Sequence, residues 1–123
     1  MLILVADKRP RIRSALRLLI EQSAGNIVVA ESADPESLTT TLHETIPDLV
    51  LIDWGLSQGK HSELITSLKE YHPHMKVVVM SGRPEYRQVA LNAGADAFIN
   101  KGDPPDRLMT MLKTYELHEK FIH

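Results

Sequence analysis

The chain has no cysteine, which excludes disulfides, thiol nucleophiles and cysteine metal ligands. It has no surplus of one charge: 14 lysines and arginines stand against 16 aspartates and glutamates, a net charge of -2. Bulk electrostatics therefore make no case for nucleic acid or an anionic membrane as a direct partner. It also lacks an apolar run long enough to span a bilayer, because the apolar start at Met1–Ala6 runs straight into Asp7-Lys8-Arg9. No charged leader precedes that run and no small-residue cleavage site follows it, so it does not read as a secretory signal. A cytoplasmic location is the expectation. Linkers, repeats and low-complexity stretches are missing as well, so residues 1–123 are expected to form one domain with no output domain.

What is present is a strict alternation of strand and helix signals. The clearest strand is Leu49-Val50-Leu51-Ile52, ending on Asp53 and turned outward by Trp54-Gly55. Four large apolar residues in a row read as a strand buried on both faces, the mark of a central parallel strand. Leu2–Ala6, Ile27–Ala30, Met75–Met80 and Ala95–Asn100 supply four more. Between them, Ile12, Ala15, Leu16, Leu19 and Ile20 share one face of a first helix, with Arg11, Arg13 and Arg17 off that face as a solvated surface. Gly25-Asn26 stops that helix. Asp34-Pro35 offers an N-cap followed by proline, with Leu38, Leu42 and Ile46 behind it. Leu64, Ile65, Leu68 and Tyr71 mark a third helix after the loop Trp54–Lys60. Tyr86, Val89, Ala90 and Ala93 mark a fourth, started by Pro84 and stopped by Gly94. Leu108, Met111, Leu112 and Tyr115 mark a fifth, after Asp103-Pro104-Pro105. From Glu116 to His123 the tail is polar apart from Phe121-Ile122 and is expected to fray. The alternation predicts a doubly wound parallel sheet with right-handed crossovers and helices on both faces.

In such a sheet, ligands bind outside the carboxyl ends of the strands. Those ends deliver Asp7 and Lys8, Asp53, Ser81 and Lys101, with Gly55, Gly82 and Gly102 keeping the edge open. A carboxylate, a hydroxyl and an ammonium converging there suit phosphoryl handling. Asp53 can attack phosphorus, Ser81 can donate a hydrogen bond to a transferred oxygen, and Lys101 can neutralise charge on it. Trp54, beside Asp53, reads as partly exposed over the crevice or, equally, as a packing residue. His72-Pro73-His74 lies at the far end of the third helix without a third ligand and reads as a loop.

The segments Leu49–Asp53, Val77-Val78-Val79-Met80-Ser81-Gly82, Ala93–Phe98 and Ile99-Asn100-Lys101, in this order and spacing, resemble the receiver domain of two-component response regulators, of the chemotaxis-regulator type. The resemblance runs from about Leu2 to Lys113. It implies a flavodoxin-like fold of five parallel strands in order 2-1-3-4-5 with five helices. It implies that Asp53 accepts a phosphoryl group from a sensor histidine kinase or a phosphotransfer protein. Ser81 would be the switch hydroxyl, Lys101 the anion-pairing lysine and Phe98 the aromatic switch position. Asp7, Asp53 and the backbone of Gly55 would be the Mg2+ position. A downstream protein would meet the face of the fourth helix, fifth strand and fifth helix, through residues such as Val89, Asp96 and Arg107, and a homodimer is open too. Such a protein is not an enzyme beyond catalysing its own phosphorylation and dephosphorylation.

One departure stands out. The family ends its first strand in two adjacent acids, whereas here a gapless count from Ile12 puts Asp7 first and Lys8 second; shifting Asp7 to the second place puts Ala6 in the first. With Lys8 the charges of Asp7, Asp53, Lys8 and Lys101 cancel. A unit charge pair at 4 Å is worth about 4 kcal/mol at an effective dielectric of 20, so Mg2+ is expected to be weakened. Lys8 is expected to lie beside the metal position, paired with Asp7 or Asp53. Two readings follow, a phosphorylatable receiver and a phosphorylation-independent pseudo-receiver that works only as an interaction module. A third, a hydrolase of the haloacid-dehalogenase type, wants a second acid where Gly55 stands.

Overall fold

The computed structural model describes residues 1–23, 27–57 and 59–122. The helix stop read at Gly25-Asn26, Gln58 of the loop and the terminal His123 lie outside the described residues. The chain forms β1 (Leu2–Ala6), α1 (Pro10–Ser23), β2 (Val28–Ser32), α2 (Pro35–Glu44) and β3 (Leu49–Asp53). It continues through a 3-10 turn (Trp54–Ser57) to α3 (His61–Tyr71), β4 (Lys76–Ser81), α4 (Tyr86–Asn92), β5 (Ala97–Asn100) and α5 (Pro105–Ile122). The strands make one sheet in the order β2-β1-β3-β4-β5, and every neighbouring pair is parallel. This is the doubly wound architecture that the alternation of signals implies.

The period-two alternation along the strands divides the core into two layers. Leu4, Val50, Ile52, Val77 and Val79 face Leu38 and Leu42 of α2, Ile65 and Leu68 of α3, and Ala90 of α4. Ile3, Val5, Leu49, Leu51, Val78 and Met80 face Ile20 of α1 and Leu108 and Leu112 of α5. All five residues of β3 are buried, because this strand has a strand on either side and helices above and below.

Local chemistry sets the helix ends. Asp34 accepts a hydrogen bond on Oδ1 from the Ser37 backbone N–H at 2.7 Å, and Pro35 fills the first helical position, so α2 starts where its N-cap dictates. Gly94 follows α4 with a φ of 114°, a left-handed conformation that glycine adopts without steric cost. α4 itself begins at Tyr86, two residues later than Pro84 suggests.

Several apolar positions that fit a helical period face water instead. Ile12 and Ala15 lie on the outer side of α1, while Arg13 turns inward toward β2. Ile46 is 62% exposed and Tyr71 78% exposed. Ile46 falls after the end of α2, and Tyr71 is the last residue of α3, so neither is carried over the sheet. β2 runs two residues past Ala30, to Ser32, because it pairs with β1 along its whole length. The backbone of α5 continues to Ile122, past the tail expected to fray, since helix-favouring residues such as Glu116, Leu117 and Lys120 extend a helix once its first turns are packed.

The burial of β3 makes it the element on which stability leans hardest. Leu51→Ala removes a fully buried side chain and is expected to destabilise the fold by about 3 kcal/mol. A urea unfolding midpoint unchanged from that of the natural chain would contradict this placement.

Candidate functional site

The strand register puts the polar residues together. Ala6 pairs with Ile52, so Asp7 and Asp53 leave adjacent strands at the same level. Asp53 pairs with Met80, which sets Ser81 one step further along, and Ser81 pairs with Asn100, immediately before Lys101. Asp7 is fully buried and Asp53 is 8% exposed. Two carboxylates side by side and out of water need counter-charge, and the surrounding residues supply it.

Lys101 reaches across the edge of the sheet. Its Nζ donates to Oδ1 of Asp53 and lies 3.3 Å from Oδ2 of Asp7, while its backbone N–H holds the Ser81 carbonyl at 2.9 Å. Asp53 is held from the other side by the Gly55 N–H, which donates to Oδ2 at 3.0 Å. A Cβ on Gly55 would stand 3.0 Å from that same oxygen, so a side chain there would push the carboxylate by a few tenths of an ångström. The Gly55 backbone thus meets Asp53 through its N–H.

The second cation is Arg9. The Arg9 backbone N–H donates to Asp7 Oδ1 at 2.9 Å, closing an Asx turn directly after β1. This turn swings the side chain of residue i+2 back over the carboxylate. Arg9 Nε is 3.3 Å from Asp7 Oδ1, and Nη2 is 3.4 Å from Asp7 Oδ2 and 3.5 Å from Asp53 Oδ1. Residue i+1 of the same turn points away. Lys8 is accordingly exposed and, among the described residues, makes no ion pair, so the placement of its ammonium beside Asp7 or Asp53 is corrected. The cation at the carboxylates is Arg9, which the sequence reading passed over. The spacing of Asp7 to Arg9, the interval of an Asx turn, was the available signal.

Arg13 completes the support of Asp7. Its Nη1 donates to the Asp7 carbonyl at 2.8 Å and its Nε to Glu31 at 3.1 Å, so it braces β1 against β2 and is not part of a solvated arginine surface. Burial pushes the Asp7 carboxyl up, but the Arg9 N–H and guanidinium together with Lys101 outweigh it and hold the group below its ordinary value. The hydrogen bond to Asp7 raises Arg9 further, so the pair stays charged.

The remaining residues take plainer places. Ser81 is buried, and its Oγ accepts from the Arg83 N–H at 3.1 Å, beside the carboxylates and turned toward the following loop. Phe98 is partly buried against the α2–α3–α4 layer. Trp54 is a packing residue and not an exposed lid: it is 9% exposed, with His61 stacked at 4.6 Å and Tyr86 at 5.0 Å. His61 is tied to Ser57 by a 3.0 Å hydrogen bond. Of the surface expected to meet a partner, Val89 and Arg107 are exposed. Asp96 is exposed as well, and it accepts from the Val77 N–H at 2.8 Å and from Lys69 Nζ at 2.9 Å, which pins the start of β5. A cleft of about 500 Å3 is lined by residues including Leu42, His43, Leu68 and Tyr71. Helices that follow parallel strands run back along them, so this cleft between the ends of α2 and α3 lies at the edge opposite Asp53.

The residues at the carboxylates do not fit a divalent cation. All four carboxylate oxygens of Asp7 and Asp53 already face Arg9, Lys101 or Gly55. Two acids and two bases sum to zero, and among the described residues no group of three or more acids and histidines could hold a metal. A hard cation of the Mg2+ type seeks carboxylate oxygens that are free to coordinate it.

Residues 3–113 match the model of the response regulator receiver domain family. The phosphate regulon transcriptional regulatory protein PhoB of Escherichia coli is 33% identical over 115 residues, 90% of this chain and 49% of PhoB. The virulence-factor transcription regulator BvgA of Bordetella pertussis is 31% identical over 101 residues, 80% of this chain and 48% of BvgA. The chain spans about half the length of the curated relatives it matches. Among solved structures, the receiver domain of NtrX from Brucella abortus superposes with a TM-score of 0.78 at 27% identity, covering 92% of this chain and 96% of that one. A LuxR-family two-component response regulator from Aurantimonas gives 0.83 at 26% identity, with 92% and 82% covered. Among the described residues, no helix is long and apolar enough to cross a membrane.

Two outcomes follow from the geometry. A carboxyl held below its unfolded value stabilises the fold above about pH 3.9, the ordinary aspartate value, and loses that contribution as pH falls through its lowered value. Urea stability should therefore fall on acidification below about pH 4, and less steeply in Asp7→Asn; parallel pH curves for the two proteins would refute the assignment. Lys8→Ala should change unfolding stability by less than about 0.5 kcal/mol, as for an unpaired surface residue. A loss of several times that in a denaturant titration would return Lys8 to the site.

Proposed function

This chain belongs to the response regulator receiver domain family of two-component systems, and on that premise we propose that Asp53 accepts a phosphoryl group from a histidine kinase or phosphotransfer protein. The observation that carries this reading is the contact of Lys101 Nζ with Asp53 at the carboxyl edge of the sheet, with Ser81 on the adjoining strand end. A rigid buried strand aims the carboxylate outward. Lys101 is placed to neutralise negative charge on an arriving phosphoryl group, and the Ser81 hydroxyl, one strand away, is placed to turn from the loop to one of its oxygens. Phe98 lies on the next strand, paired with Val79 and half-buried against the α2–α3–α4 layer. The chain acts on itself alone and turns over no other substrate.

Signalling by protein contact suits the exposed surface of α4, β5 and α5, which carries Val89 and Arg107. Regulation of transcription is a property of relatives about twice this length, of which this chain matches one half. A second reading, a receiver that works by contacts without phosphorylation, is favoured by one observation: Asp53 has both oxygens engaged, by Gly55 on one side and by Lys101 and Arg9 on the other.

Incubation with acetyl phosphate followed by intact-mass measurement separates the two. The natural chain should gain the mass of one phosphoryl group and Asp53→Asn should gain none. Equal labelling of both proteins would move the acceptor elsewhere, and no labelling of either would favour the phosphorylation-independent module.

A further inference from the structure

We propose that Arg9 is the resident cation of this site and does there what a divalent metal would otherwise do, so that a phosphoryl group on Asp53 is formed and held by Arg9 and Lys101 without metal. The inference rests on the reading of Asp53 as the acceptor.

The geometry supports it in three ways. Arg9 bridges the two carboxylates, with Nη2 at 3.4 Å from Asp7 and 3.5 Å from Asp53, the position from which one charge meets both acids. Its place is set by the backbone, since the Asx turn that orients it is closed by its own N–H on Asp7. Its side chain is also 47% exposed, so the guanidinium can follow a group that arrives from solvent. A planar guanidinium matches phosphate oxygens in pairs and remains charged at any physiological pH.

The charge balance shows what the pairing achieves. Asp7 and Asp53 against Arg9 and Lys101 sum to zero. In the transfer, an Asp53 oxygen forms a bond to phosphorus as the bond from phosphorus to the donor breaks. The donor is an acyl phosphate or a phosphorylated imidazole, and its departing oxygen or nitrogen keeps the electron pair. The acyl phosphate carries close to two negative charges in place of one, so the site moves to about -1. Two organic cations then face one dianion and one carboxylate. In a site whose acids lacked Arg9, Lys101 alone would leave a charge of about -2, and a divalent ion would be needed to offset it.

Two proteins decide the matter: the natural chain and Arg9→Gln. Each is incubated with acetyl phosphate in EDTA and in Mg2+, labelling is followed by intact mass, and Mg2+ binding is measured separately by calorimetry. The natural chain should label at rates within about twofold of each other in the two buffers and show no saturable Mg2+ binding. Arg9→Gln should label at least about tenfold more slowly in EDTA, the size of effect expected when one charge-stabilising donor is removed. Labelling of the natural chain that needs Mg2+, or EDTA labelling undiminished in Arg9→Gln, overturns the role of Arg9 and leaves Asp53 as the acceptor. No labelling of the natural chain in either buffer removes the acceptor reading, and this inference with it. The comparison of the two buffers on the natural chain needs no variant to fold.

Discussion

Two carboxylates on neighbouring parallel strands, both nearly shut off from water, are the constraint to which this edge of the molecule answers. Asp7 and Asp53 stand level because β1 and β3 pair in register, and burying two carboxylates side by side carries a desolvation cost that nearby cations offset. Lys101 meets the demand from β5 and Arg9 from the turn after β1. The supports behind them follow from the same need. Arg13 ties the Asp7 carbonyl to Glu31 on β2, and Gly55 keeps its side uncluttered so that its N–H can reach Asp53. Removing any one cation would leave a buried charge short of a partner, which costs far more than an exposed pair gives.

The carboxylates are also joined to the rest of the fold by packing. Trp54 follows Asp53 directly and is sandwiched between His61 at the start of α3 and Tyr86 at the start of α4. This stack fixes the loops on the α3 and α4 side of the edge, while Ser81 and Lys101 fix β4 and β5. On the opposite side Arg13 fixes β2 through Glu31. Asp53 is therefore joined to α4 through the packing of the neighbouring Trp54 and to β5 through the register of β3 and β4.

Periodicity alone misplaced several residues, for reasons that differ. Ile12 and Ala15 fit an apolar helical face, yet the first turn of α1 overhangs the edge of the sheet, where Arg13 is drawn inward by Asp7 and Glu31. Ile46 and Tyr71 continue a period beyond the point where their helices still lie over strands. Asp96 lies at the surface as expected, and it also closes a hydrogen bond with the Val77 backbone that the sequence pattern did not reveal. Trp54 stands beside an edge residue, and only the approach of α3 and α4 shows that it is covered.

The identity of the elements, their order in the sheet and the meeting of Asp7, Asp53, Ser81 and Lys101 at one edge were all determined by the sequence. Apolar runs of strand length ending in polar residues, separated by helical periods, imply a doubly wound sheet with right-handed crossovers, and the resemblance to receiver domains implied its strand order. The cation that accompanies the acids was decided only in three dimensions. Lys8 and Arg9 are adjacent and both cationic, and only the interval from Asp7 to Arg9 hints at which of them turns inward. The hydrogen bond from the Arg9 N–H to Asp7 settles it, because closing that turn carries residue i+2 back over the carboxylate and sends residue i+1 out to solvent.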